Sequence, residues 1–302
     1  AAPSLPASTI DRSAGQSRQK GRDPRMSESS RQIAIEPFAD LVGRDVIELV
    51  FKAAPRKVAS RVRKALDHYT KALRLPGVDD EMGAIRLIAA EEELVVGIFE
   101  WLKLNAGAMP EHRDFIGRSK NHRVKLAFYP VLSQFRFVLG DMVTHGITFD
   151  GLEDVLYWHV APARVENRIV LRIFDGEGKE LITCNPLAAA VAWGDRPEPE
   201  VVDELFSDFV RLIGDQRGMT LREFVTTRAD YRNKLLYADD AGFLAMAEDL
   251  PTLIDTVFRT TIRDLLWCLA ILLTNKPALK DWGLVSQFIG LYRRVLTESR
   301  VI

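Results

Sequence analysis

The stretch 79–104, DDEMGAIRLIAAEEELVVGIFEWLKL, limits the fold more than any other part of the chain. At about 100° per residue its apolar side chains occupy two faces. Ile85, Ile88, Ala89, Val96 and Phe99 lie on one, and Leu87, Leu94, Ile98, Trp101 and Leu102 on the other. Arg86, Glu93 and Glu100 share a narrow polar strip. A helix that is apolar on two faces must be covered from two sides, which puts it at the centre of a bundle. Glu92 projects from the middle of the first apolar face and Glu91 from the margin of the second. A carboxylate so placed needs a cation or a hydrogen-bond donor opposite it. His122, Arg123 and Lys125, at the start of a helix predicted over 120–142, are the candidates for a cross-bundle partner. The alternative is that His122 is an ordinary surface residue near a helix start.

The rest of the chain supplies the covering helices. Helical spacing runs through 37–54 (Phe38, Leu41, Val42, Val46, Leu49, Val50) and 199–213 (Val202, Leu205, Phe206, Phe209, Leu212). It recurs in 250–274, a second core helix closed by Asn275-Lys276-Pro277, and in 282–296. Residues 56–75 form a cationic amphipathic helix with Val58, Val62, Leu66, Tyr69 and Leu73 as its stripe. Its other face carries Arg56, Lys57, Arg61, Arg63, Lys64, Lys71 and Arg74 against Asp67 alone. Such a face suits an anionic partner, RNA or a lipid surface, or is simply solvated and paired with acidic neighbours.

Between 150 and 184 the period changes to two. Arg168 to Phe174 and Lys179 to Cys184 flank Asp175-Gly176-Glu177-Gly178, which is turn chemistry. Two to three antiparallel strands are expected there. Residues 186–192 suggest a short helix, 193–199 (WGDRPEP) a linker and 243–248 a connection of uncertain form. The fold class is therefore mainly α: a helical bundle in two halves, 36–150 and 187–302, with a small antiparallel β-insertion at 151–186. Residues 1–35 are poor in large apolar side chains and read as a disordered tail. Met26 followed by Ser-Glu-Ser-Ser looks like a natural start, making 1–25 an upstream or appended piece. Its Arg/Ser content also mimics an organelle transit peptide, without the amphipathic face of one.

Composition narrows function mainly by exclusion. With a formal net charge of −1 over 302 residues, any case for nucleic acid must be local. Cys184 and Cys268 form no metal pattern, and no Cys/His spacing suits zinc. There is no Glu-x-x-His pair for a di-iron site, no phosphate-cradling glycine loop and no Gly-x-Ser-x-Gly elbow. No cofactor is expected. The longest apolar run, 265–273, is far short of the roughly 20 residues of a membrane span. A cytoplasmic protein without membrane contact is the expectation.

One stretch holds a recognisable chemical cluster. Residues 221–242 read as a helix opened by a Thr220/Glu223 capping box and closed near Gly242. Arg228 and Arg232 are four apart and share a face, as do Asn233 and Tyr237. Two arginines on one face repel unless an anion lies opposite, either a carboxylate of this chain or a phosphate of a ligand. Arg259 and Arg263 share a face of the following helix. They would join the first pair if the two helices packed antiparallel, or be met by Asp230, Asp239 or Asp240.

The string Arg232-Asn233-Lys234-Leu235-Leu236-Tyr237 resembles the arginine motif of HEPN domains, the higher-eukaryote and prokaryote nucleotide-binding helical family. That motif pairs an arginine and a polar residue with a histidine about five positions on. Here Tyr237 stands at the histidine position. The string Ala89-Ala90-Glu91-Glu92, followed by Asn121-His122-Arg123-Val124-Lys125, resembles abortive-infection proteins of the AbiV type, which are grouped with HEPN proteins. The resemblance implies a helical component of a bacterial defence or toxin-type system that binds RNA or a nucleotide phosphate, and a homodimer. It implies Arg232 as a phosphate ligand, with Arg232, Asn233 and Tyr237 as the degenerate remnant of a metal-independent ribonuclease site; Arg228, on the same helix face, is the second candidate phosphate ligand. A tyrosine, whose ordinary pKa is about 10, is a poor base for a 2′-hydroxyl at pH 7. The competing reading makes Glu91, Glu92, His122 and Lys125, with Arg228 and Arg232, a buried polar network in a non-catalytic interaction or scaffold protein.

Overall fold

The computed structural model describes residues 35–118, 120–145, 158–175, 177–185, 187, 197–237, 246, 248–275 and 283–302. The expected tail (all but Ile35), Met26, the first part of the β-insertion, the short helix at 186–192 (except Leu187), most of the linker, residues 238–242 and Lys276-Pro277 lie outside them. So does most of the connection at 243–248.

The helix expected over 37–54 is two, α1 (Glu36–Val42) and α2 (Arg44–Ala53). Gly43 divides them at φ 93°, ψ 142°, a conformation that glycine adopts without penalty and a β-branched residue would not. α3 (Arg56–Ala72) starts after Pro55 and lays Val58, Val62, Leu66 and Tyr69 into the core. It stops one residue short of Leu73, so that side chain is 39% exposed although its spacing places it in the stripe.

α4 (Asp80–Asn105) is the axis. Asp79 caps it, accepting the Met82 N–H at 2.9 Å. α3 packs on one side, α10 (Arg259–Thr274) on another, and α6 (His122–His145) and α8 (Leu221–Leu236) on a third. Leu87, Ile88, Leu94, Val95, Ile98 and Phe99 are buried together, and one core draws on residues from both sides of the β-insertion. Close approach is built in at Gly83, where any added Cβ would overlap the Leu250 side chain.

Beyond α4, a short α5 (Arg113–Ile116) leads to α6. Pro130 sits inside α6 and removes the N–H that would bond the carbonyl four residues back. Edge-on ring contacts among Phe99, Phe115, Phe128, Phe288 and Tyr292 fasten α6 to α11 (Gly283–Glu298), with centroids 5.3–6.4 Å apart. The buried Tyr292 hydroxyl donates to the Val124 carbonyl. α7 (Glu198–Arg217) precedes α8 and ends at Gly218, φ 59°. The core helix expected over 250–274 is continuous but not uniform. α9 (Leu250–Leu253) passes through one π-turn, Ile254–Phe258, into α10.

The insertion is a three-stranded antiparallel sheet in the order β1 (Trp158–Val165), β2 (Arg168–Asp175), β3 (Glu180–Cys184). The second turn is the expected one, with Asp175 accepting from Glu177 and Lys179 and Gly178 at φ 83°. The sheet is tied to the end of α10. Ile169 donates to Thr274 Oγ1 at 3.0 Å, and Asn275 returns a bond to the Ile169 carbonyl at 2.7 Å. The protein is mainly α with a small β-insertion. Among the described residues no helix is long and apolar enough to cross a membrane.

Candidate functional site

Glu92 lies halfway along α4, on the side covered by α6 and α8. α6 brings His122 and Lys125 to it from one turn, three residues apart and therefore on one face. His122 Nδ1 is 2.8 Å from Glu92 Oε1, and Lys125 Nζ donates to Oε2 at 3.0 Å. α8 brings Arg232, whose Nε is 3.5 Å from the same Oε1. The sum of the two Oε1 distances, 6.3 Å, bounds the separation of His122 Nδ1 and Arg232 Nε.

Exposure rises across this cluster. Side chains of Glu92 and Lys125 are 11% exposed, Arg232 24% and His122 54%. The cluster, the Glu92 mouth, is buried at Glu92 and Lys125 and open to solvent at His122. One carboxylate faces two cationic side chains, Lys125 and Arg232, so the mouth has a surplus of basic groups before His122 is counted. In a half-buried setting such a surplus attracts an anion more strongly than an exposed pair would.

Behind the mouth lies a second, closed cluster. Glu91 is fully buried, with Oε2 3.3 Å from Arg228 Nη1. Neither of its oxygens is aligned for a hydrogen bond, so the attraction is Coulombic. Burial pushes its carboxyl up to about 7; Arg228 opposes that rise and Glu92 adds to it. Arg228 also donates to Thr261 Oγ1 at 3.1 Å, and its guanidinium lies 5.0 Å from the Phe258 centroid and 5.8 Å from that of Tyr129. The Tyr129 hydroxyl donates to Asp264, which Arg136 and Arg263 also contact, at 2.5 and 3.2 Å. Burial, and then Asp264, raise the Tyr129 phenol above its usual range.

Of the arrangements left open for Arg259 and Arg263, neither a junction with Arg228 and Arg232 nor a pairing with Asp230 is seen among the described residues, and Asp239 and Asp240 lie outside them. Arg259 turns to Asp255 and Arg263 to Asp264; from that segment it is Thr261 and Phe258 that reach Arg228. The capping box is present, with Thr220 N–H on Glu223 at 2.8 Å and Glu223 N–H on Thr220 Oγ1 at 3.3 Å. The helix it opens ends at Leu236, however, and not near Gly242. Tyr237 is consequently the C-cap, extended at φ −133°, ψ 130° and 66% exposed. Its N–H still closes the last turn on the Asn233 carbonyl at 2.9 Å, one helical turn on as the spacing predicts, and the chain leaves the helix after it. Asn233 is exposed, and among the described residues neither side chain bonds to the Glu92 cluster.

The spacing places the partner of Arg232 along its own helix, whereas the histidine beside it comes from α6, 110 positions earlier. The only trace in the sequence is the pairing of a buried Glu with a His and a Lys at helical spacing. Among the described residues no group of three or more His, Cys, Asp or Glu is placed to hold a metal. No family model, curated protein or solved structure matches the chain.

Proposed function

We propose that the chain is a HEPN-like component of a bacterial defence or toxin-type system that docks RNA or a nucleotide phosphate at the Glu92 mouth. One observation carries this reading: His122 and Arg232 meet at a single carboxylate oxygen, with both side chains reaching solvent. Among the described residues the Arg232 contact with Glu92 is through Nε, and its terminal nitrogens would make the bidentate contact with a phosphate. Arg228, whose contacts are all internal, supports the floor of the site.

The same geometry supplies the base that Tyr237 is ill suited to be. Glu92 accepts from Nδ1–H and fixes the imidazole, leaving Nε2 to take a proton. In cleavage, Nε2 removes the proton of a ribose 2′-hydroxyl, the 2′ oxygen bonds to phosphorus, and the 5′ oxygen leaves and is protonated by water. Arg232 steadies the added charge on the phosphoryl oxygens. A homodimer belongs to the same proposal, by resemblance.

The test is anisotropy with a labelled single-stranded RNA at rising salt, and cleavage of that RNA in the presence of a chelator. Arg232→Ala is expected to weaken binding at least about tenfold and flatten the salt slope. His122→Ala is expected to abolish cleavage and leave binding. Unchanged binding in Arg232→Ala overturns the reading. The internal contacts of Arg228 favour a second reading, a scaffold whose polar network only sets the packing. It predicts no RNA effect and a loss of about 3–5 kcal/mol in stability when one partner of the network is removed.

A further inference from the structure

We propose that the outward face of α3 is a docking surface for a nucleic-acid phosphate backbone, separate from the Glu92 mouth. The proposal rests on the RNA reading for its choice of partner, and on its own observations for the surface.

Charge is distributed unevenly in this chain. Residues 56–74 hold seven Lys and Arg (56, 57, 61, 63, 64, 71 and 74) and one acid, Asp67, a balance of +6. The whole chain is −1, so the remainder is −7. At about 100° per residue Arg56, Arg63, Lys64 and Lys71 fall within an arc of about 100°, and Arg74 follows in the next turn. All of these side chains are exposed, whereas Val58, Val62, Leu66, Tyr69 and Ala72 opposite them are buried.

Internal pairing leaves most of that charge uncompensated. Arg61 is paired with Glu93, and Asp67 is shared by Lys64 and Lys71. Among the described residues no acid pairs with Arg56, Lys57, Arg63 or Arg74. Arg63 is held over the Phe51 ring at 5.4 Å, which fixes its guanidinium in place. From Arg56 to Lys71 the face is roughly 22 Å long, the length of about six base steps.

A lipid surface fits less well. A helix that lies in a bilayer interface buries its apolar face among the acyl chains. In α3 that face is already in the protein core, against α4. The face also has no exposed aromatic for base stacking, since its phenol, Tyr69, is buried. Contact is therefore with phosphates, and it is sequence-independent.

The experiment uses the full chain and three probes: a labelled single-stranded RNA, a labelled RNA duplex, and phosphatidylserine/phosphatidylcholine vesicles. R56A/R63A/R74A is expected to weaken RNA binding at least about tenfold. The single-strand salt slope should flatten by about two, three contacts at about 0.7 each. The melting temperature should stay put; if it drops, K57E/R74E, which removes no packing contact, replaces the triple variant. An unchanged affinity and slope overturn the proposal, as does a variant that loses vesicle binding instead of RNA binding. Arg232→Ala run in parallel separates the two sites. RNA binding lost only in Arg232→Ala sinks the α3 surface alone, and binding lost only in the α3 variant sinks the mouth alone. No RNA binding by the unaltered chain sinks both.

Discussion

Glu91→Gln is the perturbation whose magnitude the geometry defines best. Glu91 is fully buried, and its cationic neighbour, Arg228, lies at 3.3 Å without a hydrogen bond. Its carboxyl is raised from an ordinary 4.5 to about 7 in the folded chain. Below pH 4.5 the group is protonated whether the chain is folded or not, and it costs nothing. Between 4.5 and 7 the unfolded chain releases the proton and the folded chain keeps it, so the folded state binds more protons and stability falls as pH rises. The loss is complete above 7. At about 1.36 kcal/mol per pH unit it amounts to roughly 3 kcal/mol. Glutamine has the shape of the protonated acid and no charge to bury, so the variant is spared this loss. Urea unfolding of both proteins from pH 4.5 to 8 reads the difference directly. It should be near zero at pH 4.5 and should grow, by pH 8, to about 3 kcal/mol in favour of the Glu91→Gln protein. A difference that is flat with pH, or that turns against the variant at pH 8, refutes the reasoning. It would mean that the ionised Glu91–Arg228 pair stabilises the fold.

Three further perturbations probe the frame and the mouth. Lys125→Met removes the hydrogen bond to Glu92 Oε2; it should cost about 1.5–3 kcal/mol in chemical denaturation and lower RNA affinity, because the mouth loses its surplus charge. Gly83→Ala forces a methyl into the buried Leu250 side chain and should cost about 1–3 kcal/mol in thermal unfolding. Thr220→Ala breaks the capping box that starts α8 and should cost about 1 kcal/mol, with local hydrogen exchange at Leu221–Leu236 rising before global unfolding.

Periodicity finds α4 because a helix apolar on two faces has few places to go, and the structure buries it on nearly every side. Capping chemistry finds the start of α8, and turn chemistry the β2–β3 hairpin, since both depend on neighbours within four residues. Breaks inside apolar runs are harder to see. Gly43 divides α1 from α2 without interrupting the hydrophobic spacing, and the π-turn at Ile254–Phe258 adds no residue type that marks it. The end of α8 comes earlier than Gly242 predicts, and residues 238–242, on which that reading leaned, lie outside the described ones. The presence of Glu91 and Glu92 on apolar faces announces that partners are needed. Which cation meets which acid depends on how α6, α8 and α10 are rotated against α4, and nothing local encodes that. Thr261 and the rings of Phe258 and Tyr129 around Arg228 belong to the same unreadable class.

The most direct test of the mouth is nitrogen NMR of the histidine side chains during titration with a short single-stranded RNA. His122 is one of five histidines. Its Nε2 signal should move saturably with the RNA, with the affinity found by anisotropy, while Nδ1 keeps its proton against Glu92. A His122 ring that stays unmoved while RNA binds would contradict the account.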